Sequence, residues 1–155
     1  MHGWIDDIID AVGSPQTTGD QLLHAFFTES TTSRAAGGEF LGRIFARPEG
    51  RDEATDWATR NAQYDAIVQW GIPNHSMLER LTAITHPVFV TNGDSDRMIL
   101  PRYSHLLAGL LPNAAIKIYP DAGHGFLFQH HSEFADDVSA FCEIDEPPLM
   151  TADTA

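Results

Sequence analysis

Residues 86–128 predict a strand–helix–strand unit, and this unit constrains the fold more than any other part of the sequence. Residues 88–90 form a short apolar run of β-branched and aromatic side chains that ends near the turn-forming pair Asn92-Gly93, as buried strands do. Apolar residues then recur at helical spacing over 103–111, and apolar and polar positions alternate over 115–119. A connection of this length is a right-handed crossover, so we expect two adjacent, parallel strands.

Polar side chains follow both predicted strands at the point where each strand ends. Asp94 and Asp96 come after the first strand, and His124 comes after the second. Open α/β sheets place their chemistry at the carboxyl ends of the strands. A carboxylate that accepts the Nδ1–H of an imidazole leaves Nε2 free as a general base, so these residues predict an acid–base pair. The simpler, non-catalytic interpretation is that N-G-D-S-D is an ordinary turn. In that case His124 is a surface histidine in a tight loop formed by the glycines on either side of it.

Three short motifs and the last helix resemble the C-terminal part of an α/β-hydrolase. They are GDSD at 93–96, LPNA at 111–114, AGHG at 122–125 and an amphipathic helix over 133–143. The resemblance implies that His124 is the base of a catalytic triad and Asp96 its acid. Asp94 is the less expected acid, because the family usually places the acid three residues after the glycine.

The serine nucleophile of such a triad is missing from the sequence. In α/β-hydrolases the chain order is serine, acid, histidine, and the serine lies in a G-x-S-x-G turn between a strand and a helix. The flanking glycines of this turn are absent around Ser14, Ser30, Ser33, Ser76, Ser104 and Ser132. We therefore expect the C-terminal fragment of an esterase-like serine hydrolase for small-molecule substrates, inactive as this chain alone. Two alternatives stay open: a truncated, non-catalytic interaction module, and part of a cofactor-free haloperoxidase-like enzyme.

The part of the chain before the strands predicts helices only. They are expected over 4–12, 20–27, 31–47, 52–70 and 76–84, with Asp52 capping the fourth. The Gly37-Gly38 pair in the third helix indicates either close packing or a break. By resemblance, residues 1–75 form a helical cap, with aromatic side chains mainly in packing, and residues 76–144 form the C-terminal part of the hydrolase core. Residues 145–155 are expected to be a disordered tail. The fold class is α/β, a partial α/β-hydrolase fold in which the cap precedes a β-α-β-α unit with two parallel strands.

The charge and cysteine content exclude several classes of function. The net charge is −13, with one lysine and eight arginines among 155 residues, which disfavours nucleic acid and anionic membranes as partners. No apolar run approaches the ~20 residues of a membrane span, and the N-terminus does not resemble a signal peptide. A single cysteine, Cys142, excludes an intrachain disulfide and favours the cytoplasm; its place on the last helix predicts a buried or half-buried thiol.

No cofactor or metal is expected, and the predicted partner is a small-molecule substrate of the complete enzyme. His130 and His131 are close to Asp121 and His124 in the sequence, but the spacing of these residues matches no zinc-binding pattern. We therefore expect solvated histidines. The acidic pairs, including Asp136-Asp137, are expected on solvated helix faces. The first strand would have an unpaired edge, which predicts self-association or pairing with another chain.

Overall fold

The computed structural model describes residues 4, 6–13, 15–72 and 74–143. The elements are, in order, α1 (Asp6–Val12), α2 (Gly19–Phe26), α3 (Thr31–Phe45), α4 (Trp57–Trp70), α5 (His75–Glu79), β1 (Val88–Gly93), α6 (Pro101–Leu110), β2 (Ala114–Tyr119), α7 (Phe126–Gln129) and α8 (His131–Cys142). A 3₁₀ turn over Arg80–Ala83 follows α5. The predicted tail at 145–155, together with Ile5, Ser14 and Pro73, lies outside the described residues. No helix among those described is long and apolar enough to cross a bilayer.

The two strands form a parallel pair, as the strand–helix–strand pattern predicts. Their register runs from Val88 opposite Ala114 to Gly93 opposite Tyr119, and α6 connects them. The pairing extends past the end of β1, where the Asp94 N–H donates to the Tyr119 carbonyl at 2.9 Å. Both strands therefore end at the same level, and the loops that follow them begin side by side.

Helix starts are set by side-chain caps, and one of them corrects the sequence prediction. The α4 helix begins at Trp57 instead of near Asp52, because the Asp56 carboxylate accepts the Thr59 N–H at 2.7 Å. In α2, Thr18 and Gln21 form a capping box, and Ser30 caps α3 through the Ser33 N–H. The single helix expected over 76–84 is instead α5 followed by the 3₁₀ turn.

Aromatic side chains join α2 and α3 to α7, the helix that follows β2. The ring centroids of Phe40 and Phe128 are 4.4 Å apart, and Phe26 lies 6.0 Å from each of them. Such ring pairs stabilise a packed core beyond the area that they bury. Phe45 and Trp57 depart from the packing expected of the cap aromatics, since they are 51% and 61% exposed.

Two predicted apolar helix faces are exposed instead of buried. On α6, Tyr103, Leu106 and Leu107 are exposed, whereas Ser104 is the buried residue and bonds Asn92 of β1. On α4, Ile67 and Val68 are also exposed. Helical periodicity identifies an apolar face, but it does not say what covers that face. Within the described part of the chain, nothing covers these two.

Gly37 is a point of close packing between α2 and α3, and α3 continues through it unbroken. A Cβ atom at position 37 would lie 2.5 Å from Leu23 Cδ2 and 3.1 Å from the Phe27 ring. At Gly38, by contrast, no atom lies within 4 Å of an added Cβ. Only at Gly37, therefore, do the neighbouring side chains leave no room for a Cβ atom.

We predict that Gly37→Ala lowers the free energy of unfolding by about 1–3 kcal/mol, because the new methyl group overpacks the contact with Leu23 and Phe27. Gly38→Ala serves as the matched control, and we expect it to be neutral or to stabilise by up to about 1 kcal/mol through helix propensity. Urea unfolding of both variants and the parent chain measures the difference. Equal stability of the two variants would contradict this packing.

Candidate active site

Asp96 is a buried residue in the loop after β1, and its carboxylate makes three hydrogen bonds. The residue is 1% exposed. Its Oδ1 accepts the Met98 N–H at 2.7 Å and the Ile99 N–H at 2.9 Å, and its Oδ2 lies 2.8 Å from His124 Nδ1. A buried charge is tolerated only when it is paired and hydrogen-bonded in this way. The turn interpretation and the acid interpretation of this residue are therefore compatible, because one oxygen organises the turn and the other faces the imidazole.

His124 lies in the loop after β2, and its ring is oriented by Asp96. Since the carboxylate only accepts, the network assigns the proton to Nδ1 and leaves Nε2 as the basic nitrogen. The side chain is 36% exposed, and Nε2 has no hydrogen-bond partner among the residues that the structure describes. The arrangement can therefore take up a proton at Nε2 from a group that approaches from outside.

Asp94 has a different task from Asp96. Its carboxylate accepts the backbone N–H groups of Asp121 and Ala122, at 3.0 and 3.2 Å. The structure thus turns Asp96 toward His124 and uses Asp94 to hold the backbone of the second loop against the first. Of the two aspartates, it is therefore Asp96 whose carboxylate contacts the imidazole of His124.

Three glycines let the two loops and the helical segment approach one another closely. A Cβ at Gly93 would lie 2.2 Å from the Ala122 carbonyl oxygen, and one at Gly123 would lie 2.7 Å from the Phe26 carbonyl oxygen. Gly125 is similarly restricted by the Phe26 side chain, and its N–H donates to the Phe26 carbonyl at 2.9 Å. The glycines that flank His124 therefore follow from its contact with the end of α2.

Asn92 is a functional candidate that the sequence reasoning passed over. It is a buried residue of β1, and its Nδ2 donates to the Ile99 carbonyl at 2.7 Å and to Ser104 Oγ at 3.1 Å. Ile99 in turn donates its N–H to Asp96, so Asn92 fixes the loop that holds the acid. The signal in the sequence was an amide inside an otherwise apolar strand, since such a group requires partners.

Asp121 is a second residue whose position was not predicted. It has a left-handed backbone conformation, with φ 52°. Its carboxylate accepts the hydroxyl groups of Ser30 and Thr28, each at 2.5 Å, and these bonds hold the pKa of Asp121 below its usual value. The loop that positions His124 is thereby tied to the segment before α3.

The N-terminal residues contact the loop that presents Asp96. The Trp4 Nε1–H donates to the Met98 carbonyl at 2.8 Å, and Asp7 accepts from Arg97 and from His24. These bonds place residues of the predicted cap on the loop that presents Asp96.

Three predictions about polar groups require correction. His130 is half-buried and its Nε2 bonds the Pro120 carbonyl, so it is not a solvated histidine, whereas His131 is exposed. Asp137 accepts from Lys117 Nζ at 2.5 Å and from the Tyr119 hydroxyl at 2.6 Å, which lowers its pKa, so it is not on a solvated face. Cys142 is exposed, because α8 turns it away from its core side. No three metal-ligating side chains converge in the described ranges.

A small cavity of about 160 Å³ lies beside the His124 loop. Its lining includes His24, Thr28, Arg97 and Gly123, but neither Asp96 nor His124.

A parallel strand pair that presents a buried aspartate and a histidine at its carboxyl end, with a final helix behind it, defines the C-terminal part of an α/β-hydrolase fold. Solved structures support this class. An α/β-hydrolase fold protein from Chitinophaga pinensis is 31% identical with a TM-score of 0.77, over 91% of this chain and 52% of that chain. An α/β fold family hydrolase from Bacillus anthracis (18% identity, TM-score 0.59, 86% of this chain and 46% of that chain) has the same fold. Est816, described as an N-acyl homoserine lactone degrading enzyme, also has this fold (22% identity, TM-score 0.60, 90% of this chain and 52% of that chain).

The model of the dienelactone hydrolase family matches residues 50–145, and the chain belongs to this family. This chain spans about half the length of the solved structures that it matches. No curated protein matches it.

We predict that Asp96→Asn reverses the tautomer of His124. An asparagine can keep Oδ1 on the Met98 and Ile99 N–H groups, but its amide then donates to Nδ1 and moves the imidazole proton to Nε2. Long-range ¹H–¹⁵N NMR of the imidazole distinguishes the two tautomers. The control is Asp94→Asn, whose carbonyl oxygen can still accept one of the two N–H groups of the second loop; since residue 94 does not touch the imidazole, we expect the tautomer to be unchanged. The same tautomer in the parent chain and Asp96→Asn would contradict the assignment.

Proposed function

We propose that this chain supplies the acid and the base of a serine-hydrolase active site, with Asp96 as the acid and His124 as the base. The observation that carries the proposal is the 2.8 Å contact between Asp96 Oδ2 and His124 Nδ1, made by an aspartate that is otherwise fully buried. A triad needs this pairing, because it holds the imidazole in the tautomer that accepts a proton at Nε2. An ordinary turn does not need it.

The hydroxyl groups near the pair are occupied elsewhere. Ser30 and Thr28 donate to Asp121, Ser33 donates to Gln129, and Ser95 donates to Asp94. In the described part of the chain, none of these four hydroxyl groups donates to His124. With no G-x-S-x-G in the sequence, the proposed nucleophile is a serine of a polypeptide segment that this sequence does not include.

The surfaces that would receive such a segment are open. The sheet of the described residues has two strands, and α4 and α6 carry exposed apolar side chains. A two-stranded sheet is marginal without cover, and an open strand edge invites pairing. The complementing segment would add strands to this sheet and bring the serine to the carboxyl ends, where His124 lies.

The proposed reaction is acyl transfer from an ester or lactone to the serine and then to water. His124 Nε2 takes the proton of the serine hydroxyl as the oxygen bonds to the carbonyl carbon, and Asp96 stabilises the imidazolium that forms. The imidazolium returns the proton to the departing alkoxide as the C–O bond breaks. His124 then acts as a base again and takes a proton from the water that attacks the acyl-serine, and this step releases the carboxylic acid product. Residues 1–75 would form the cap over this site.

A non-catalytic interaction module is the second candidate, because the open sheet edge and the exposed apolar faces also suit a binding surface. The two candidates differ in one respect. Only the enzyme requires His124 to be basic and accessible once the sheet is complete.

The test is a chimera that joins this chain to the part of the Chitinophaga pinensis hydrolase that it does not match. In this fold the serine precedes the acid, so the unmatched part contains the nucleophile position. We predict hydrolysis of p-nitrophenyl acetate that falls about 10³-fold or more in His124→Ala. His131→Ala, an exposed histidine on α8, is the matched control and should retain the activity. A folded chimera that is inactive, or whose activity survives His124→Ala, would refute the proposal and leave the interaction module.

A further inference from the structure

We infer that Asp121 is a positioning residue for His124, and that Thr28 and Ser30 fix it in place. The inference rests on the proposed function, because it assigns to these residues the placement of the base. It gives the segment between α2 and α3 a task in forming the acid–base pair, beyond covering the site.

The carboxylate of Asp121 bridges two parts of the chain that are far apart in sequence. Oδ1 accepts the Thr28 hydroxyl and Oδ2 accepts the Ser30 hydroxyl, both at 2.5 Å. The two hydroxyls are themselves held by the backbone, since Thr28 Oγ1 accepts the Ser30 N–H and Ser30 Oγ accepts the Ser33 N–H. Hydrogen bonds to a charged acceptor are short and strong, so this bridge fixes the two segments relative to each other.

The backbone of Asp121 is fixed as firmly as its side chain. Its N–H donates to Asp94 Oδ2 at 3.0 Å, and its carbonyl accepts from Gln129 Nε2 at 2.8 Å. Gln129 also accepts the hydroxyl of the fully buried Ser33 at 2.6 Å. Asp121 therefore joins the acid loop, the segment before α3 and α7 at one residue. Its left-handed conformation, which aspartate tolerates, is maintained by these contacts.

The His124 loop is anchored before and after the histidine by residues 26–30, which comprise the end of α2 and the segment before α3. Asp121, three residues before the histidine, binds Thr28 and Ser30, and Gly125, one residue after it, donates to the Phe26 carbonyl at 2.9 Å. The His124 side chain has a single polar tether within the described residues, namely Asp96. Its remaining placement depends on the backbone of the loop. Because a small displacement of a catalytic group has a large effect on the reaction rate, the bonds that anchor this loop should affect the rate.

Asp137 offers the matched comparison. It also accepts two side-chain donors, Lys117 and Tyr119, and ties β2 to α8 instead of to the His124 loop. If Asp121 merely stabilises the fold, its replacement and that of Asp137 should have the same effect on the histidine. If it positions the base, only its own replacement should alter His124.

The experiment follows the His124 imidazole by long-range ¹H–¹⁵N NMR in the full chain. We expect Asp121→Asn and the isosteric Thr28→Val to lose the Nδ1 proton signal, or to exchange it with water about fivefold faster, the factor for about one net hydrogen bond. Thr28→Ser restores the donor and should behave as the parent chain. Asp137→Asn should leave the imidazole signal unchanged. Far-UV circular dichroism of each variant establishes that the chain is folded.

The inference is overturned if Asp121→Asn and Thr28→Val are folded and keep the parent signal, or if Asp137→Asn changes it equally. Should Asp121→Asn not fold, the comparison of Thr28→Val with Thr28→Ser decides the question alone. An unchanged signal in these variants beside an active, His124-dependent chimera would remove only the positioning role. An altered signal beside a folded but inactive chimera would remove only the proposed function.

Discussion

The buried carboxylate of Asp96 is the constraint on which the rest of this structure depends. An ionised group that is 1% exposed costs several kcal/mol unless it is paired and hydrogen-bonded. The donors are the Met98 and Ile99 N–H groups and the Nδ1–H of His124, and they come from both loops at the end of the sheet. Burying the acid therefore requires the parallel pairing of β1 and β2, the close approach of the loops at Gly93 and the turn that Asn92 secures.

The helical part of the chain takes part in the same arrangement. Trp4 and Asp7 bind the acid loop, while the segment 25–30 binds the loop of the base through backbone carbonyls and two hydroxyl groups. The loops of Asp96 and His124 are thus both bonded to residues that precede the two strands.

The sequence was sufficient to predict the sheet and the relative position of Asp96 and His124. The reason is physical: a strand–helix–strand pattern leaves one topology, and that topology brings the two loops together. Sequence could not predict which helix faces are covered. The leucines of α6 have helical periodicity, yet Ser104 is the buried residue because Asn92 provides its partner. Long-range bonds such as that from Thr28 to Asp121 leave no local pattern in the sequence. The start of α4 was misplaced because both Asp52 and Asp56 could cap the helix, and only the structure shows that Asp56 accepts the Thr59 N–H.

The proposed function gives this chain the acid and the base, and it places the nucleophile on a segment that this sequence does not include. The most direct measurement compares p-nitrophenyl acetate hydrolysis by the purified 155-residue chain and by its His124→Ala variant at equal concentration. The account predicts the same rate for both, because no hydroxyl among the described residues donates to His124. A parent rate that clearly exceeds the rate of the variant would contradict it, since a nucleophile would then lie within this chain.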